Sequence, residues 1–83
     1  MNHVEIRKLI VELYDLVDEF KCQSLNDGTA YYFKFKVGDK LYIASVHEEK
    51  NKAIYYRIED ETKYISATTK SKTFERDLRE LAK

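Results

Sequence analysis

Residues 29–68 read TAYYFKFKVGDKLYIASVHEEKNKAIYYRIEDETKYISAT, and the fold turns on how this stretch is divided. Its Tyr, Phe, Ile and Val residues favour extended backbone, and three polar breaks separate them into strands expected near 29–37, 40–48, 53–59 and 62–68. Gly38-Asp39 suits a two-residue hairpin loop in which Gly takes the positive φ of a type II′ turn, setting Phe35 opposite Tyr42 and Phe33 opposite Ala44. Glu49-Lys50-Asn51 fits a three-residue loop with Asn51 in the left-handed position, which pairs Val46 with Ile54 and Ala44 with Tyr56. Asp60-Glu61 closes the last hairpin and puts Tyr56 opposite Ile65 and Arg57 opposite Tyr64.

A one-residue slip would move every side chain to the other face, so agreement among the three turns is informative. They give one apolar face: Tyr31, Phe33, Phe35, Tyr42, Ala44, Val46, Ile54, Tyr56, Ile58, Ile65 and Ala67. Lys63 is the one misfit, at a strand end.

On the N-terminal side, Asn2 followed by Glu5 resembles a helix cap with its N3 acid. Ile6, Leu9, Ile10, Leu13, Leu16, Val17 and Phe20 then recur at the helical period, which predicts a helix over about 3–21 with Glu12, Asp15, Asp18 and Glu19 on its solvated side. Leu13 and Phe33 are both expected to be buried between that helix and the sheet. Asn26-Asp27-Gly28 is readable as a helix-to-strand loop or as an Asp-Gly hairpin turn that would make Cys22 to Leu25 a short extra strand; poverty in β-branched residues favours the loop. Beyond the sheet, Thr73 or Ser71 is expected to cap a helix near 73–82, with Phe74, Leu78 and Leu81 along one side. The expected fold is therefore α+β: a four-stranded antiparallel meander with an N-terminal and a C-terminal helix on one face, α-β-β-β-β-α in two layers, as a single domain over 1–83.

At 83 residues the chain supports a modest core. Its 15 acidic and 15 basic side chains cancel, leaving no overall field to draw it to nucleic acid or anionic membrane. The balance hides a gradient, with six acids and three bases in residues 1–28 against three acids and six bases in 29–58. One cysteine, Cys22, forms no internal disulfide and favours a reducing compartment. Without a long apolar run or a signal-peptide core the expectation is a cytoplasmic protein and no membrane partner. Richness in Lys, Ile, Tyr, Phe and Asn is compatible with an AT-rich bacterial or phage source.

Catalytic patterns are lacking. His3 and His47 share no two-ligand metal spacing, and the run His47-Glu48-Glu49 reads as an exposed polar strand end, so no metal site and no cofactor are expected. Gly28 and Gly38 are turn residues, too few for a phosphate loop. No serine sits in a nucleophile elbow, and the acids do not pair across strands, so no catalytic residue is assigned.

The informative surface is the outer sheet face. The derived register makes two rows there: Tyr32, Ser45, Tyr55, Ser66, and Lys34, Ile43, Arg57, Tyr64. Tyrosine and arginine beside isoleucine match the make-up of protein interfaces, which makes Tyr32, Lys34, Ile43, Tyr55, Arg57 and Tyr64 the expected contacts of a protein partner or of a second copy of the chain. The alternative is single-stranded nucleic acid, with tyrosines stacking bases and Lys34, Lys36 and Arg57 neutralising phosphates.

Overall fold

A computed structural model describes residues 1–24 and 27–83. The order is α1 (His3–Leu13), β1 (Asp15–Gln23), β2 (Thr29–Val37), β3 (Lys40–Glu48), β4 (Ile54–Glu59), β5 (Tyr64–Thr68) and α2 (Ser71–Glu80). The strands form one antiparallel sheet in sequence order, β1 to β5. The α+β two-layer meander expected from the sequence is present, with five strands instead of four.

The extra strand comes from the first helix pattern, which ends early. Its start is as expected: the Asn2 side chain accepts the Glu5 N–H at 3.0 Å and Glu5 accepts the Asn2 N–H at 3.1 Å, a reciprocal capping box. Tyr14 then leaves helical dihedrals, and Asp15–Gln23 pairs with β2 along its whole length. In the four-strand plan β2 would have been an edge with a row of unpaired backbone groups; pairing them outweighs a helical preference worth tenths of a kcal/mol per residue. The spacing of Leu16, Val17 and Phe20 is reconciled with a strand by a bulge at Val17, so that Leu16 opposes Phe35 on the inner face and Phe20 opposes Tyr32 on the outer. Leu13, the last helical residue, is consequently 36% exposed and not buried as expected, while Phe33 is buried in the core with Ile6, Leu9 and Ile10. Cys22 and Gln23 lie in β1, and the Ser24 N–H donates to the Gly28 carbonyl at 3.0 Å, which favours the hairpin reading over the loop; Leu25 and Asn26 lie outside the described residues.

The three hairpins show how turn chemistry sets register. Between β2 and β3 the pairs Phe35–Tyr42 and Phe33–Ala44 are as expected, and Gly38 has φ 64° while Asp39 does not share the positive φ, as a type II′ turn requires. Between β3 and β4 the register is displaced by two residues: Val46 opposes Tyr56 and Ala44 opposes Ile58. The cause is a longer loop, closed by the Glu49 N–H donating to Ala53 O at 2.9 Å, with Lys52 and not Asn51 in the left-handed region at φ 70°. An even displacement keeps every side chain on its face.

Between β4 and β5 the displacement is odd. The Asp60 carboxylate accepts the N–H of Thr62 and Lys63 and the Thr62 hydroxyl at 2.8–3.0 Å, consuming four residues in a side-chain-closed turn, and a bulge follows at Ile65, since Glu59 opposes Tyr64 and Ile58 opposes Ser66. Ser66 therefore faces the core layer, donating to Asp77 of α2 at 2.7 Å, while Ile65 and Ala67, expected inside, are exposed. The second helix begins at Ser71, after Lys70, with no side-chain cap, so neither Ser71 nor Thr73 plays the expected capping part.

Both helices lie on the inner face. Ile6, Leu9 and Ile10 of α1 and Phe74 and Leu78 of α2 close over Phe33, Phe35, Tyr42, Ala44, Val46, Tyr56 and Ile58. The Tyr14 hydroxyl joins the two helices by donating to the Leu78 carbonyl at 2.5 Å. His3 ties the start of α1 to β3, its ring 3.6 Å from that of Tyr31 and its Nδ1 2.9 Å from Glu48. This leaves the opposite sheet face without a covering layer among the described residues.

Candidate functional site

Pairing across all five strands writes three rows on the open face. The first runs Cys22, Ala30, His47, Tyr55; the second Phe20, Tyr32, Ser45, Arg57, Ala67; the third Asp18, Lys34, Ile43, Glu59, Tyr64. The six expected contact residues are all on this face, but the corrected β3–β4 and β4–β5 registers regroup them. Arg57 flanks Ser45, Tyr55 flanks His47, and Ser66 has left for the inner side.

Small residues at the centre of the first two rows make a depression. Ala30 is 1% exposed and Ser45 3% although both point away from the helices, because the larger neighbours Tyr32, His47, Tyr55 and Arg57 rise around them. The resulting hollow has a volume of about 420 Å³ and is bounded at one end by Ser24 and Glu49. Ser24 follows β1 and Glu49 follows β3, and the Ser24 hydroxyl donates to Glu49 Oε1 at 2.5 Å. Glu49 Oε2 and His47 Nε2 are shielded from solvent and have no hydrogen-bond partner among the described residues. The run His47-Glu48-Glu49 is thus divided: Glu48 serves α1 through His3, and its two neighbours line the hollow. No group of three or more His, Cys, Asp or Glu among the described residues is placed to hold a metal ion.

Two features of this face bear on its chemistry. Lys36 and Lys34 stand directly opposite Asp15 and Asp18 of β1, acids that the sequence pattern assigned to a helix surface, which sets negative charge beside the lysines although no close ion pair joins them among the described residues. The aromatic rings are also largely engaged with one another. Phe20 stacks on Tyr32 at 4.9 Å, the edge of His47 meets Tyr32 at 5.9 Å, and Arg57 lies over the Tyr64 ring at 5.8 Å. Ile43 and Lys34 are half-buried, Tyr55 and Arg57 exposed, and Tyr64 is 60% exposed.

Burial lowers the pKa of His47 below the ordinary imidazole range; the nearby Arg57 lowers it further and Glu49 opposes the shift. Burial raises the Tyr32 hydroxyl, with Cys22 adding to the effect. Because the unfolded chain binds a proton on His47 at higher pH than the folded one, stability is fullest above the unfolded value and falls as pH drops through about 6.5 toward the folded value. A series of melts from pH 8 to pH 5 should show this loss, and His47→Gln should flatten that part of the profile. An unchanged slope in His47→Gln would show that other groups carry it.

Among the described residues no helix is long and apolar enough to cross a membrane. In comparisons against protein-family models, curated proteins and solved structures, nothing matches the chain.

Proposed function

We propose that the chain is a non-enzymatic interaction module that receives a protein partner, or a second copy of itself, on its open sheet face. Tyr32, Ile43, Tyr55, Arg57 and Tyr64 supply the contact surface and Lys34 lies among them. The observation that carries this reading is the uncovered aromatic and apolar surface around a shallow hollow: Phe20, Tyr55, Tyr64 and Ile65 are all large and exposed on or beside that face. Tyr32, stacked on Phe20, loses little freedom on binding, as suits a rigid interface anchor. The pairing of Lys34 and Lys36 with Asp18 and Asp15 weakens the case for a single-stranded nucleic acid, which needs uncompensated cations along its backbone and open rings for its bases. A cytoplasmic setting agrees with the exposed free thiol of Cys22.

Sedimentation at two protein concentrations measures self-association, and capture of a partner followed by titration in low and high salt measures the rest. A Tyr32→Ala, Tyr55→Ala, Tyr64→Ala variant that keeps its circular dichroism should lose association by tenfold or more, with a shallow dependence on salt. Retention of every partner at parental affinity would reject the open face as the binding surface. A steep fall of oligonucleotide affinity with salt, abolished in the same variant, would transfer the face to nucleic acid.

A further inference from the structure

We infer that the hollow at Ser24, His47 and Glu49 is a guanidinium pocket, filled by an arginine side chain of the protein partner. The inference rests on the open-face reading and names what the partner must present there. Glu49 is only 9% exposed, yet a single donor, the Ser24 hydroxyl, serves it, on Oε1. Its second oxygen and the Nε2 of His47 are the two buried side-chain atoms without a partner among the described residues. Buried polar atoms in folded proteins are nearly always satisfied, so two orphans on side chains lining one hollow mark a missing group.

The chemistry of that group follows from the atoms. A carboxylate oxygen only accepts, and His47 held neutral by its surroundings accepts at Nε2 when its proton sits on Nδ1; in that tautomer the two atoms call for a ligand that donates at two points. A buried carboxylate also favours a positive charge, because its field is screened less than that of an exposed group. Arg57, the like charge on the wall, is exposed and lies over the Tyr64 ring, so solvent screens its opposition to a cation in the hollow. A guanidinium meets all of these terms at once: a planar fork of N–H donors with a fixed charge that also lies well against tyrosine. Both orphan atoms are shielded from solvent, so the group has to be inserted. Tyr55, which has neither a ring contact nor a side-chain hydrogen bond among the described residues, is the wall able to yield.

The test is a nitrogen-15 NMR titration of the full chain with N-acetyl-arginine amide, against its neutral ureido isostere N-acetyl-citrulline amide and against N-acetyl-lysine amide. Saturable shifts should centre on Ser24, His47 and Glu49 with arginine, with citrulline at least tenfold weaker and lysine intermediate. Glu49→Gln should weaken arginine at least tenfold, and Arg57→Gln, which removes the like charge from the wall, should tighten it. Equal response to citrulline, no saturable response to arginine, or arginine binding that survives in a folded Glu49→Gln chain would overturn the pocket. The citrulline comparison uses the parental protein, so it decides the matter even where Glu49→Gln fails to fold. No partner is present in the tube, so an absent arginine response with partner binding intact rejects the pocket alone. Arginine binding beside a triple tyrosine variant that keeps its partner rejects the open-face reading alone.

Discussion

Phe35→Ala should destabilise the protein by about 3–5 kcal/mol, close to the whole stability expected of so small a domain. Phe35 is fully buried in the second half of β2, its ring 5.4 Å from that of Tyr14 and 5.8 Å from that of Tyr42. Truncation removes both ring contacts and leaves a cavity between two helices that are pinned elsewhere and cannot collapse into it. Leu13→Ala, three residues past the last buried position of α1, should cost about 1 kcal/mol or less. Reversible urea melts of the two variants measure the contrast. Similar losses would mean that α1 continues past Leu13 with its apolar stripe against the sheet.

The second large effect belongs to a glycine. A Cβ added at Gly28 would lie 2.1 Å from the Glu48 carbonyl oxygen and 2.5 Å from the Glu49 Cα. These are backbone atoms, so no side-chain rotation relieves the clash, and the start of β2 would have to separate from the end of β3. Gly28→Ala should therefore cost about 3 kcal/mol or more, at the upper end of overpacking losses, and should also disturb the Ser24 to Glu49 hydrogen bond nearby. Hydrogen exchange should show the loss first at the β2–β3 end next to Glu48. A variant that melts with the parent and keeps protection there would show that the two backbones do not approach so closely.

The second of these sites could not be read from the chain. Gly28 looked like a turn residue because composition and position say that; its packing against β3 depends on β1 and β2 folding back as a hairpin. The central register was legible because Gly38 admits one hairpin geometry and alternation in β2 and β3 is clean. The end of α1 was not, because Leu13, Leu16, Val17 and Phe20 satisfy a helical period and, with a bulge, also a strand. A signal was available in β2 itself: nine residues rich in aromatics are a poor edge strand, and an Asp-Gly pair precedes them.

The candidate site divides in the same way. Tyr32, Tyr55 and Arg57 are legible on the open face because the β2–β3 register is as expected and the β3–β4 displacement is even. Ser24 and Glu49 were missed because loop conformation brings them together from the ends of two strands that are not consecutive in sequence. The acids beside Lys34 and Lys36 were missed for the reason that α1 was drawn too long. Ile65 and Ala67 were misassigned because Asp60 closes its turn through a side chain, which lengthens the loop by more than its turn-forming residues announce.

Every strand in this sheet lies beside its neighbour in sequence, so most of the hydrogen-bonded ladder joins residues a short way apart along the chain. The entropy of closing large loops is spared for the sheet and concentrated in a few distant ties, such as Tyr14 to Leu78 and His3 to Glu48. Such a topology has low contact order for a β-rich protein and favours rapid folding by successive hairpins.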